Sequence, residues 1–216
     1  MDKVLNFLEE LSKNNTREWF NDNRKWYEES RDKVIFISDV LINEIGKFDS
    51  SVKGLSPKDC TFRIFRDVRF SNDKRPYKTN FGSFICKGGR KSMNPGYYFH
   101  IEPGSSFVAG GIYMPPAEPL KAIRNYMADH AEEFLDITND ASFKALFPQM
   151  YDDKLKTAPK GFPKDHEFIE LLRYKSYIFS KELNDGVIKG NNYINQMVEL
   201  FEELSPVNSF LYEALI

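Results

Sequence analysis

Along this chain the spacing of apolar positions changes from helical to alternating and back, and each change marks a different kind of element. Val4, Phe7, Leu8 and Leu11 recur at helical spacing and predict a first helix that ends at Asn14 and Asn15. Asn15, with Glu18 three positions on, has the form of a capping box and opens a second helix at Trp19 and Phe20. From Trp26 the stripe Tyr27, Val34, Ile37, Leu41, Ile45 and Phe48 is again helical, with Gly46 near its end. Whether these two run together depends on Asn21, Asp22 and Asn23, which the pattern leaves open.

After a polar connection from Asp49 to Pro57 the period becomes two. Phe62, Ile64, Val68 and Phe70 then fall on one strand face, with Arg66 among them, and Arg63, Phe65, Asp67 and Arg69 on the other. Ser71 to Pro76 reads as a turn, and Thr79 to Cys86 alternates again. The segment 87–96 has the Gly and Pro of a hairpin loop. GYYFHIEP and SSFVAGGIYM follow as two more strands joined by Pro103 and Gly104. Four strands with short connections predict an antiparallel meander.

Helical spacing returns after the PPAEP punctuation, first at Leu120, Ile123, Tyr126 and Met127, then at Phe134 to Ile137, then at Phe143, Leu146 and Phe147. Residues 156–164 form a loop, His166 to Tyr174 a helix, and Ser176 to Ser180 a short strand. Ile194, Met197, Val198, Phe201 and Leu204 define a long helix, after which Ser205 and Pro206 would cap a separate final one. The order is that of an α+β fold: one domain over residues 1–216, with an antiparallel sheet of at least four strands and helices mainly on one face.

Composition narrows the class. The 216 residues include 19 Phe and 11 Tyr, enough aromatic surface to offset chain entropy by burial. A net charge of −2 speaks against a general nucleic-acid coat, so nucleic acid is an unlikely partner. No apolar run approaches the roughly 20 residues that span a bilayer, and no membrane partner is expected. Two cysteines, Cys60 and Cys86, neither in a CxxC, fit buried free thiols in a reducing compartment, and the expected location is cytoplasmic.

Charge patterning changes the picture most at Phe62 to Asn80. Arg63, Arg66, Arg69, Lys74, Arg75 and Lys78 stand there against only Asp67 and Asp73, a local net of +4, so the rest of the chain carries about −6. His100, His130 and His166 are isolated, without HExxH or paired cysteines, so neither a metal nor a cofactor is expected. KGGRKS lacks the phosphate-loop spacing and joins two strands. An arginine on an apolar strand face must find a carboxylate or a ligand, so Arg66 has a partner. The cluster is either a structural ion network, with Asp67 beside Arg69, or an anion pocket using guanidinium and ammonium groups. Tyr98 and His100 share a face of the third strand, with Tyr97 opposite, and His100 or Asp67 is a candidate for proton transfer.

The stretch FRIFRDVRFSNDKRPYKTNFG, with NNTREWFNDNRKWYE before it and PGYYFHIEPGSSFVAGGIYMPP and PKGFPKDHE after it, resembles the bacterial and fungal family of unknown function numbered 2461. The likeness covers nearly the whole chain, most loosely in the last ~40 residues. It implies one α+β domain and supplies no catalytic residues. Its motif positions here are Arg63, Arg66, Asp67, Arg69, Asp73, Lys74, Tyr77 and Lys78. The leading expectation is therefore a binding protein for a small anion, phosphate or carboxylate, held by Arg63, Arg66, Arg69, Lys74, Tyr77 and Lys78. An enzyme using His100 or Asp67, and an interaction module, are the alternatives.

Overall fold

A computed structural model describes residues 1–216. The chain opens with α1 (Asp2–Lys13), α2 (Arg17–Asp22) and α3 (Arg24–Ile45), and α2 and α3 are separate helices that meet at Asn23. Thr16, not Asn15, caps α2: its hydroxyl accepts the Trp19 amide at 3.2 Å. Asn15 is used elsewhere, because its amide pairs with both backbone groups of Tyr77, donating to the carbonyl at 3.0 Å and accepting from the N–H at 3.1 Å. The aromatic content gathers here. Phe7 is fully buried among Trp19, Phe20, Trp26, Tyr27 and Phe81, which ties the three helices to the sheet. Each such ring pair adds about 0.5–1.5 kcal/mol beyond its buried area.

A short α4 (Pro57–Cys60) leads to the basic stretch and then to β1 (Phe81–Ile85), β2 (Gly96–Ile101) and β3 (Ser106–Ile112). Helices α5 (Ala117–Asp129), α6 (Ala131–Asn139), α7 (Ala141–Leu146) and α8 (Ile169–Leu172) follow. Then come β4 (Tyr177–Leu183), α9 (Asp185–Lys189) and α10 (Tyr193–Glu213). The sheet is one antiparallel meander in the order β1-β2-β3-β4. Its fourth strand is Tyr177–Leu183, longer than the short strand expected there, and not Phe62–Phe70. The helix expected over His166–Tyr174 is only the single turn of α8, whereas α10 is continuous through Pro206. Leu204, Val207, Phe210 and Leu211 on α10 are all buried, and that packing outweighs the hydrogen bond a proline removes.

Helices cover one sheet face. Phe81, Ser83, Ile85, Tyr97, Phe99, Val108, Gly110, Ile112, Tyr177 and Phe179 point to it and are buried. Gly110 is glycine because α10 lies against it: a Cβ would sit 2.9 Å from Leu204. The Ser38 hydroxyl on α3 meets Ser83 of β1 at 3.0 Å. The alternate residues Phe84, Tyr98, His100, Phe107, Ile178, Ser180 and Glu182 form the second face, and these are half-buried or exposed.

The basic stretch is an irregular ribbon. Residues 61–66 run antiparallel to 76–83, held by Phe62 N–H to Gly82 O (2.9 Å), Lys78 N–H to Ile64 O (2.8 Å) and Arg66 N–H to Pro76 O (2.9 Å). The alternating pattern predicted a regular strand through Phe70. Pro76 has no N–H to give, so the ladder stops there and the chain turns away. Val68 is only half-buried and Phe70 is 96% exposed, so the expected apolar face ends at Ile64.

Candidate functional site

On β2 the two-residue period places Tyr98, His100 and, just past the strand, Glu102 on the face that the helices leave open. They form a hydrogen-bonded chain. Tyr98 Oη lies 3.0 Å from His100 Nδ1, His100 Nε2 lies 3.0 Å from Glu102 Oε2, and Thr79 Oγ1 donates to Glu102 Oε1 at 2.6 Å. A carboxylate only accepts, so His100 Nε2 carries the proton given to Glu102, and when the imidazole is neutral Nδ1 is the acceptor of the Tyr98 hydroxyl. Phe107 on β3 stacks on the imidazole with centroids 4.7 Å apart. The His100 side chain is 13% exposed and Glu102 28%, so the chain is shielded without being sealed.

Gly82, across from His100 on β1, makes this arrangement fit. A Cβ there would lie 2.5 Å from Tyr98 Oη, so the phenol occupies the space a side chain would take. Burial, and after it the charge of Glu102, pushes the Tyr98 hydroxyl up to about 12. The phenol therefore stays protonated unless a base takes the proton.

The base of the ribbon borders this chain. Phe62 presents its ring edge-on to Tyr98 at 6.2 Å, and Lys78 Nζ lies 5.5 Å from the Phe62 centroid. Lys78 is half-buried, and no carboxylate stands within ion-pair distance of it. Burial, with the positive charge of Arg63 second, holds its ammonium below the ordinary lysine value. Arg63 is exposed and likewise makes no ion pair, although its charge reaches Asp67.

The tip of the ribbon differs. Arg66 pairs with Asp73 and also donates to Arg75 O, so the partner demanded by its position is a carboxylate of its own loop. Arg75 pairs with the same Asp73, Arg69 makes a two-pronged pair with Asp67 (2.9 and 2.6 Å), and Lys74 donates to Val68 O. Arg69 holds Asp67, and Arg75 with Arg66 holds Asp73, below the usual carboxylate range. An exposed carboxylate held this way is a poor proton acceptor. Tyr77 lies in the core, 5% exposed and stacked on Phe20 with centroids 3.9 Å apart.

The candidate residues thus separate into three groups. Lys78 lies beside Phe62, which borders Tyr98, with the charge of Arg63 acting on it, while at the tip Arg66 is engaged with Asp73, Arg69 with Asp67 and Lys74 with the Val68 carbonyl, and Tyr77 is structural. Tyr98, Glu102, Thr79 and Gly82 complete the site. Of these only the shared face of Tyr98 and His100 was visible from strand parity; the same parity count, carried two residues further, would have reached Glu102. Cys60 and Cys86 are buried free thiols, raised by desolvation to about 11 and about 12. No group of three or more His, Cys, Asp or Glu side chains is placed to hold a metal ion, and no helix is long and apolar enough to cross a membrane.

Comparison with curated proteins and with solved structures gives no match. The family model described as "Conserved hypothetical protein (DUF2461)" matches residues 3–210, nearly the whole chain and the entire site described above. The chain therefore belongs to the DUF2461 family.

Proposed function

We propose that the protein binds a small anionic ligand, phosphate or carboxylate, at the base of the ribbon on the open face of the sheet. Lys78 and Arg63 supply the charge. The observation that carries this reading is Lys78 itself: a half-buried ammonium with no counter-ion and a like charge nearby. A bound anion offsets both penalties at once, and a charge-assisted hydrogen bond of this kind contributes about 1.5–3 kcal/mol. The tip arginines carry as much charge but have already spent it on Asp67 and Asp73.

Titration calorimetry with inorganic phosphate and with small carboxylates at low salt tests the reading. Lys78→Met should weaken binding about ten- to hundredfold, and Arg69→Ala should leave it nearly unchanged. Equal heats from wild type and Lys78→Met would overturn it. A reducing intracellular setting belongs to the same proposal, supported by the two buried free thiols. Cell fractionation checks it, with recovery from an exported fraction as the contrary result.

A further inference from the structure

One edge of the sheet is only partly covered. On β4 the Tyr151 N–H bonds to Ile178 O from outside the sheet and Met150 pairs with Phe179, and no bridge follows beyond that residue on this side. Backbone groups two residues apart point the same way, so those of Ser180 and Glu182 also face outward, while those of Phe179, Lys181 and Leu183 face β3. No hydrogen bond outside the ladders reaches the Ser180 C=O or either backbone group of Glu182, and both residues are exposed.

This end of the edge opens onto a groove of about 820 Å³ between β4, α9, α10 and the end of α7. Its apolar lining is Leu146, Leu183, Val187 and Leu200. Around them stand Glu182, Glu199, Glu202 and Glu203 against Lys181, four acidic charges less one basic for a net of −3. None of the four glutamates makes an ion pair, and Glu203 has only the Ser142 hydroxyl at 3.3 Å. Two copies of this edge brought together would set their glutamates against one another, so its charge opposes pairing with itself. A basic strand meets the opposite condition.

We propose that the β4 edge takes a fifth strand from a partner protein, an extended segment in which apolar side chains alternate with lysine or arginine. The guest backbone satisfies Ser180 and Glu182, its apolar side chains cover Leu183 and Leu200, and its cations meet the glutamates. The two-residue period keeps these tasks apart, because successive side chains leave a strand on opposite faces. Main-chain hydrogen bonds hold the guest, and charge decides which strand is admitted. No residue of the anion site proposed above takes part.

The test titrates the full chain with acetyl-Lys-Val-Arg-Leu-Lys-Val-amide at low salt and follows backbone amides by NMR. Saturable binding should move the Glu182 amide, slow its hydrogen exchange at least about tenfold, and weaken as salt rises. The same peptide N-methylated at every internal residue keeps its charge but loses its donors, and should bind at least about tenfold more weakly. Glu199→Lys combined with Glu202→Lys, both at exposed positions, should weaken binding of the first peptide as much. Absence of saturable binding to the wild-type protein overturns the proposal, and that measurement needs no variant to fold. Equal affinity for the N-methylated peptide overturns strand addition, and equal affinity in the double variant overturns the groove as the site. A Glu182 amide that shifts with protein concentration in the absence of peptide makes the occupant a second copy and overturns the partner assignment.

Discussion

The tip and the base of one ribbon, only a few residues apart, treat positive charge in opposite ways. At the tip Arg66, Arg69 and Arg75 each face a carboxylate of the same loop, in water, where such pairs contribute little to stability. At the base Lys78 is drawn against the Phe62 ring with no carboxylate to meet it. Charge density is higher at the tip, but unsatisfied charge is found at the base. A ligand gains most where a charge has lost its water and gained nothing in exchange.

The largest expected contrast is in stability. Tyr77 at the base is buried on Phe20 and clamped by Asn15, so Tyr77→Ala should cost about 3–5 kcal/mol in denaturant unfolding. Phe70 at the tip is 96% exposed, and Phe70→Ala should fall within about 0.5 kcal/mol of wild type. Comparable losses from the two would mean that the tip packs against something and that the contrast is false. A smaller effect is expected at Gly82. Gly82→Ala would drive a methyl into the Tyr98 hydroxyl and should cost about 1–3 kcal/mol. Adding Tyr98→Phe removes the closest atom but leaves ring carbons at 3.0 Å, so the double variant should recover part of that loss. Strict additivity of the two changes would show that the phenol does not depend on the missing side chain.

Strong helical periods made α1, α3 and the first part of α10 legible from sequence, and the short strand-turn-strand spacing gave β1, β2 and β3. Parity on β2 put Tyr98 and His100 together because a two-residue period leaves no freedom in which face a side chain takes. Elsewhere the signal was local and the cause distant. Phe62–Phe70 alternates like a strand, yet nothing covers the face that Val68 and Phe70 would present. In β4, Lys181 and Glu182 obscure the second half of a strand whose start was expected at Ser176–Ser180 and which continues because β3 pairs with it along its length. Lys74 and Lys78 are the same residue type in the same motif. Only folding shows that one sits in water at the tip and the other beside Phe62, and Asn15 reaches Tyr77 from 62 positions away.

Lys78 also offers a titration. Its ammonium is held below the ordinary value, so the cost of keeping it charged is present below its folded-state pKa. That cost is relieved as pH rises toward about 10.4, where an unfolded lysine also loses its proton. Stability should therefore gain with pH across that window in wild type and lose this component in Lys78→Met. NMR of the Lys78 side chain should place its titration below the ordinary lysine value, and inorganic phosphate should raise it. A Lys78 that titrates at the ordinary lysine value, with or without phosphate, would remove the difference between base and tip.

The smallest effect belongs to the tip carboxylates, and it runs the other way. Asp67 and Asp73 are depressed by their arginine partners, so what the pairs contribute is present above the ordinary carboxyl value of about 4 and is lost as pH falls through their lower folded-state values. Both carboxylates are solvent-exposed, so their loss should free the loop without unfolding the protein. The Nε–H resonances of Arg69 and Arg75, which donate to Asp67 and Asp73, should move toward the positions of free guanidinium groups over that acid range. Tyr98 and the backbone of β2 should stay where they are, because no hydrogen bond of the relay involves either aspartate. If the β2 resonances shifted with the same midpoint as the arginines, the tip would be coupled to the relay, and the loop pairs would have to be counted as part of the site.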